Sequence, residues 1–151
     1  MEPDQTIHYE GFWKRSFAFL VDLVIVKILS LILIGLGILA AYQALGDLQL
    51  SAPSEDLVFL LLGLFVLTGI TILFLYFLYF NWKGVTPGMK ILGLKIESIS
   101  SESLSFPQAF IRTFGLLFSF FFFGLGFLTL LFNQKKQTLH DLLAGTYVTK
   151  N

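Results

Sequence analysis

The stretch GFWKRSFAFLVDLVIVK, Gly11–Lys27, begins as a membrane anchor does, with a basic pair ahead of an apolar run. Inside the run, however, it places Asp22 seven residues after Arg15, and Lys27 five residues later. Seven residues make two helical turns, so Arg15 and Asp22 share a face, with the carboxylate about 10 Å further along the axis. Helical neighbours meet at three or four residues, not seven, so the two should not pair directly. Asp22 therefore needs a partner from another segment, water or a proton. An ionisable group at membrane depth is a functional candidate by default, although a packing contact that fixes helix docking would also account for it.

The rest of the chain supports the membrane reading. Of 151 residues, 56% are hydrophobic and 13% charged, with a mean hydropathy of +0.80. That apolar share exceeds what a soluble domain usually carries. Helices are predicted over 16–42 and 57–81, each long enough to cross hydrocarbon at roughly 20 residues. A third hydrophobic segment, 108–132, contains Gly124-Leu125-Gly126. The first apolar region is too long and too charged for a cleaved leader, so an uncleaved anchor is expected. The chain has no cysteine, hence no disulfide or thiolate metal site.

Charge placement sets the topology. Lys14 and Arg15 precede the first span; Lys83, Lys90 and Lys95 follow the second; the intervening loop carries only Asp47, Glu55 and Asp56. The positive-inside rule places both ends of this helical hairpin, and the N-terminus, in the cytoplasm. A third full span would strand Lys135, Lys136 and Lys150 outside. A turn at Gly124-Leu125-Gly126 would keep them inside, so a re-entrant segment is favoured over a third span. The cytoplasmic motifs 83–106 and 133–151 read alike. Thr86-Pro-Gly-Met-Lys-Ile-Leu-Gly93 and Thr138-Leu-His-Asp-Leu-Leu-Ala-Gly145 each give an N-cap, a short helix and a glycine stop. Each is followed by a β-like run, Leu94–Ile99 and Thr146–Lys150. Pairing those runs requires a shared side of the membrane. The expected fold is a single all-α integral membrane domain over 1–151: two transmembrane helices, a re-entrant or spanning third segment, short capped cytoplasmic helices and a small β-pairing.

The chemistry-bearing residues are few. Arg112, at the mouth of the third segment, is predicted to reach Asp22 as an ion-pair partner, with Arg15 supplying a field at the mouth. Lys90 is the alternative partner, on a short helix expected to lie in the interface above Asp22. Lys27 faces elsewhere and should snorkel. In His140-Asp141 the side chains diverge by about 100° on a helix, and the capping role explains Asp141 without chemistry. His8 is the one other histidine, and a metal site needs three or four ligands, so no metal and no cofactor is expected. With no phosphate loop and no nucleophile beside a base, an enzyme is not expected.

Together these stretches resemble the RDD family of bacterial membrane proteins, named for an arginine and two aspartates. Gly11-Phe-Trp-Lys-Arg15 with Asp22 is similar to the family's opening motif. Gly84-Val-Thr-Pro-Gly-Met-Lys90 with Gly93 is similar to its central loop. Gln137-Thr-Leu-His-Asp141-Leu-Leu-Ala-Gly-Thr146 is similar to its closing motif, where the second aspartate maps. Met89 stands where a second basic residue would be expected, and Lys27 lies outside the pattern. The resemblance implies a bacterial inner-membrane protein of unsettled function, with transport of an ion or ligand suggested. The function expected is a small, oligomeric transport module moving a cation, proton or small ligand at Asp22, with Arg15, Arg112 and Asp141 as further ligand-binding candidates and Lys90 and His140 supporting. The alternative is a non-transporting assembly or regulatory module that binds lipid headgroups or a membrane partner protein. No nucleic-acid partner is expected.

Overall fold

The computed structural model describes residues 9–47, 54–100, 103–122, 126, 129 and 136–150. Two of its helices, α1 (Phe12–Asp47) and α2 (Glu55–Trp82), are long and apolar enough to cross a membrane. Both exceed the lengths expected from sequence. Past Tyr42, α1 continues through Gln43-Ala-Leu, all good helix formers. At the start of α2, Ser54 Oγ accepts the Leu57 amide at 3.3 Å, and Glu55 and Asp56 occupy the positive end of the helix. The chain divides into two compact units, one of residues up to Asp22 and from Phe74 onward, the other Leu23–Leu73.

The first unit holds the charged residues that matter. After α2 the chain turns at Gly84, whose φ of 75° suits glycine, and enters α3 (Pro87–Ile91). As predicted, Thr86 is its N-cap, accepting the Met89 amide at 3.1 Å, with proline in the first turn. Next come β1 (Leu94–Ser98), α4 (Phe106–Phe121), α5 (Leu139–Ala144) and β2 (Thr146–Lys150). The two strands pair antiparallel, with Leu94 opposite Lys150, Ile96 opposite Val148 and Ser98 opposite Thr146. The chain ahead of α1 joins them, Tyr9 bridging to Thr149 and the Glu10 amide reaching the Val148 carbonyl. Leu94, Ile96 and Val148 point to one side of the pair and form a small core with Ala18 and Leu104, against which Met89 and Leu92 pack.

Helix α4 starts with a capping box between Ser105 and Gln108 and is polarised the reverse of a soluble helix. Its buried stripe contains Ala109, Arg112, Thr113, Leu116 and Ser119, whereas Phe110, Ile111, Phe114 and Phe118 are exposed. Much of the remainder of the predicted third segment, including the turn proposed at Gly124-Leu125, lies outside the described residues. Against α4 lies α5, and the approach is close enough that a Cβ on Gly115 would sit 2.9 Å from His140 Cβ.

In the second unit, most side chains of the two helical stretches are exposed although nearly all are apolar. Within it Gly37 admits the ring of Phe65, 3.1 Å from where a Cβ would stand. Lys27 is exposed, as expected of a side chain free to snorkel.

Candidate functional site

Among the described residues of the first unit, four charged side chains are less than 5% exposed: Arg15 (4%), Asp22 (1%), Arg112 (3%) and Asp141 (0%). Such groups are rarely buried unless paired, so the pairing decides what each is for. On α1 the buried residues Arg15, Ala18 and Asp22 form one stripe, as the helical spacing requires.

Asp22 is held entirely by uncharged donors. The Tyr76 hydroxyl donates to Oδ1 at 2.8 Å, the Gly88 amide to Oδ1 at 2.8 Å and the Thr86 hydroxyl to Oδ2 at 2.5 Å. Thr86 thus serves two ends at once, capping α3 through its lone pair and donating its proton to the carboxylate. Gly88 is what lets α3 come this close. A Cβ there would lie well inside contact distance of the Ala18 carbonyl oxygen and 3.0 Å from Asp22 Cγ. The short helix is therefore fastened onto Asp22 by its backbone, whereas the sequence placed it in the interface above.

Asp141 is held by charge. Arg15 Nη1 donates to Oδ2 at 2.5 Å, Arg112 Nη1 donates to Oδ1, and the Thr138 amide donates to Oδ2 at 3.1 Å. Arg112 also donates to Thr146 Oγ1 at 2.7 Å, and Arg15 Nη2 to the Val148 carbonyl at 3.5 Å. The carboxylate closes its half of the expected capping box and simultaneously ties α1, α4 and α5 together. Burial alone would raise its pKa; Arg112, Arg15 and the Thr138 amide outweigh burial and hold it well below the usual carboxylate range. His140, with Nε2 3.9 Å from Asp141 Oδ1, responds oppositely. Burial pushes it down to about 3, with Arg112 and Arg15 adding to the shift and Asp141 opposing it, so it is neutral at pH 7.

Beside Asp22 is a small cavity of about 30 Å³. Arg15, Asp22, Asn81, Arg112, Thr138 and His140 contribute its polar lining, with Phe19, Phe77 and Leu116 among the apolar walls. Asn81 is fixed there by donating to Thr113 Oγ1 at 2.9 Å, Thr113 in turn donating to the Ala109 carbonyl.

The structure therefore brings together Arg15, Asp22, Arg112, His140 and Asp141, and corrects how they pair. Among the described residues Arg112 forms no ion pair with Asp22; the close packing of α4 on α5 puts Asp141 within its reach instead. Arg15 is no mouth residue but a buried partner of the same carboxylate. Lys90 is exposed and takes no part in either cluster. Sequence reasoning missed Tyr76, Asn81 and Thr146. Tyr76 and Asn81 lie within or just beyond the charge-free second span, where a polar side chain was itself the available signal. Thr86 and Gly88 stood inside a flagged motif but were read as local cap chemistry.

Comparison with known proteins gives a match to the RDD family model over residues 9–145. The chain is 30% identical over 145 residues to the uncharacterized protein YxaI of Bacillus subtilis strain 168, covering 91% of this chain and 95% of that one. It is also 30% identical to the uncharacterized protein YckC of the same organism, covering 92% of this chain and 83% of the relative. No solved structure matches.

Proposed function

The chain belongs to the RDD family, and from that premise and the partners of its buried charges we propose that it is a small membrane transport module in which Asp22 exchanges a proton for a monovalent cation. One observation carries the reading. Asp141 is clamped by two guanidinium groups, while among the described residues Asp22 is hydrogen-bonded by two hydroxyls and one amide. A carboxylate locked between two arginines cannot exchange its counter-charge without losing both. A carboxylate held by hydroxyls can, because Tyr76 and Thr86 turn from donors into acceptors by rotating one bond. Asp22, Tyr76 and Thr86 would then offer the oxygen ligands that hard cations prefer.

The same reading puts the N-terminus, α3, α5 and both strands on the cytoplasmic side of a bacterial inner membrane, with the hydrophobic segment 108–132, which α4 begins, entering the bilayer and returning. The antiparallel pairing of β1 with β2 supports a common side for the two motifs. The phenylalanine face of α4, exposed at Phe114 (61%) and Phe118 (51%), supports immersion. Two spans cannot enclose a pathway, so the module works as a homo-oligomer or with a membrane partner, and no catalytic step is assigned to it.

The test is ion-driven proton movement in proteoliposomes of the purified protein. Exchange should be abolished by Asp22→Asn and retained, more weakly, by Thr86→Ser, which keeps the hydroxyl. Undiminished exchange in Asp22→Asn would remove Asp22 from the role.

A further inference from the structure

The charges around the cavity do not balance once Asp22 is neutralised. Arg15 and Arg112 contribute two positive charges and Asp141 one negative, leaving one positive charge over; ionised Asp22 cancels it. When a proton or cation occupies Asp22, that surplus is buried, and an uncompensated buried charge is strongly unfavourable. Resting on the exchange reading of Asp22, we infer that the cavity is a binding site for a small monovalent anion of halide size, occupied only when Asp22 is neutralised.

The donors for it are present. Arg15 Nε–H is buried and has no hydrogen-bond partner among the described residues, and Arg15 lines the cavity. The Thr138 Oγ1 hydroxyl, from another lining residue, is buried and donates to no partner among the described residues. Unmet buried donors are rare and call for a reason. The Asn81 amide, held by Thr113, presents a further N–H from the same wall region. The two arginines remain bonded to Asp141 while this happens, so anion binding needs no ion pair to break. Size limits the ligand: about 30 Å³ holds one or two water-sized bodies at roughly 10–15 Å³ each. A single small ion is in keeping with that size. Asp22 faces the same space and repels the anion while ionised, which makes the two occupancies conditional on each other. By reciprocity, the anion tightens the hold of Asp22 on its proton or cation.

The experiment is chloride-35 NMR line broadening, titrating sodium chloride into protein in nanodiscs at fixed ionic strength made up with gluconate. Asp22→Asn, which keeps shape and removes charge, should bind chloride more tightly than the parent by roughly 5–150-fold, the usual span of coupling between two sites. Thr138→Val removes the unmet hydroxyl donor together with half of the capping box of α5, and, where circular dichroism shows it folded, it should weaken chloride binding in the Asp22→Asn background. Arg15→Lys keeps the charge, lacks Nε–H and should do the same. Bromide should compete and gluconate should not. Circular dichroism establishes folding of each variant. If folded Asp22→Asn broadens the line no more than its Thr138→Val double variant, water satisfies these donors and the anion site is wrong. That result with proton exchange intact in the parent would leave the exchange reading standing. Tight chloride binding in an Asp22→Asn protein that still exchanges would overturn the exchange reading and keep the anion site.

Discussion

Replacing Gly88 with alanine should unfasten α3 from Asp22. The added Cβ would stand 3.0 Å from both the Ala18 carbonyl carbon and Asp22 Cγ, and nearer still to the Ala18 oxygen. Comfortable carbon contacts begin at about 3.5 Å, so α3 must retreat by on the order of 1 Å. Ala18 is packed in the small core and Asp22 is tied by three hydrogen bonds, so α3 is the part that gives way. At that displacement the 2.8 Å bond from the Gly88 amide is lost and the 2.5 Å bond from Thr86 is stretched. A hydrogen bond to a charged group contributes about 1.5–3 kcal/mol, and overpacking typically costs about 1–3 kcal/mol. The sum is a destabilisation of about 3–5 kcal/mol, allowing for partial relaxation. The assay is thermal unfolding in detergent followed by circular dichroism. Gly93→Ala is the control: its φ is 64°, but nothing lies within 4 Å of an added Cβ, so only backbone strain of about 1–2 kcal/mol is expected. If Gly88→Ala melts with Gly93→Ala or above it, the direct fastening of α3 to Asp22 is refuted.

Three further outcomes follow from the same geometry. Asp141→Asn should destabilise more than Arg112→Gln, because it strands two arginines where Arg112→Gln leaves Arg15 in place; the double variant should lose less than the sum, by about 0.5–3 kcal/mol, whereas Asp22→Asn with Arg112→Gln should be additive in the same melts. Because His140 is pushed down to about 3 from an ordinary value near 6.5, the unfolded chain takes up the proton first on acidification; stability should be level above pH 6.5 and fall by about 2 kcal/mol on reaching pH 5, and His140→Asn should flatten that slope in urea titrations. Asp141, held low, starts to lose its contribution only as the unfolded carboxylate takes up its proton near its ordinary value of about 3.9, so most of that loss lies below pH 5. In a chain without cysteine, Ser100→Cys and Lys150→Cys should both label from the cytoplasmic face only; labelling from opposite faces would break the β1–β2 pairing and the re-entrant α4 with it.

The parts of this architecture that obey a local period were legible. Two long helices, the cap at Thr86 and the strand pairing of Leu94–Ser98 with Thr146–Lys150 all came from residues near one another or from matched β-patterns. The identity of the buried charges was legible too, because an arginine or aspartate inside an apolar run is conspicuous. Their pairing was not. Arg15 and Asp141 are separated by 126 positions, and Arg112 and Asp141 by 29. Charge complementarity offers both aspartates to both arginines on equal terms, and Asp22 is favoured for Arg112 only because a capping role already accounts for Asp141. What decides is the approach of α4 to α5 across Gly115, a glycine whose role is visible only when its neighbour is known. Likewise the neutral donors of Asp22 are weak signals, since Tyr76, although polar, reads as one more aromatic in an apolar helix.

That division of partners bears on how the site could work. The four buried charges sum to zero with Asp22 ionised, and three of them form one bonded group around Asp141. Any step that merely removed a proton or cation from Asp22 returns the cluster to neutrality, and any step that merely added one leaves a buried surplus. Replacing one cation by another leaves the total unchanged, so exchange meets a smaller electrostatic barrier than net uptake does. Net uptake becomes comparable only if a negative ion enters with the positive one. The Arg15–Asp141–Arg112 group acts as a fixed counterweight of one positive charge. On the exchange reading, its position near Asp22 makes that carboxylate the member whose occupancy changes, and Asp141, held by both arginines, the member whose occupancy does not.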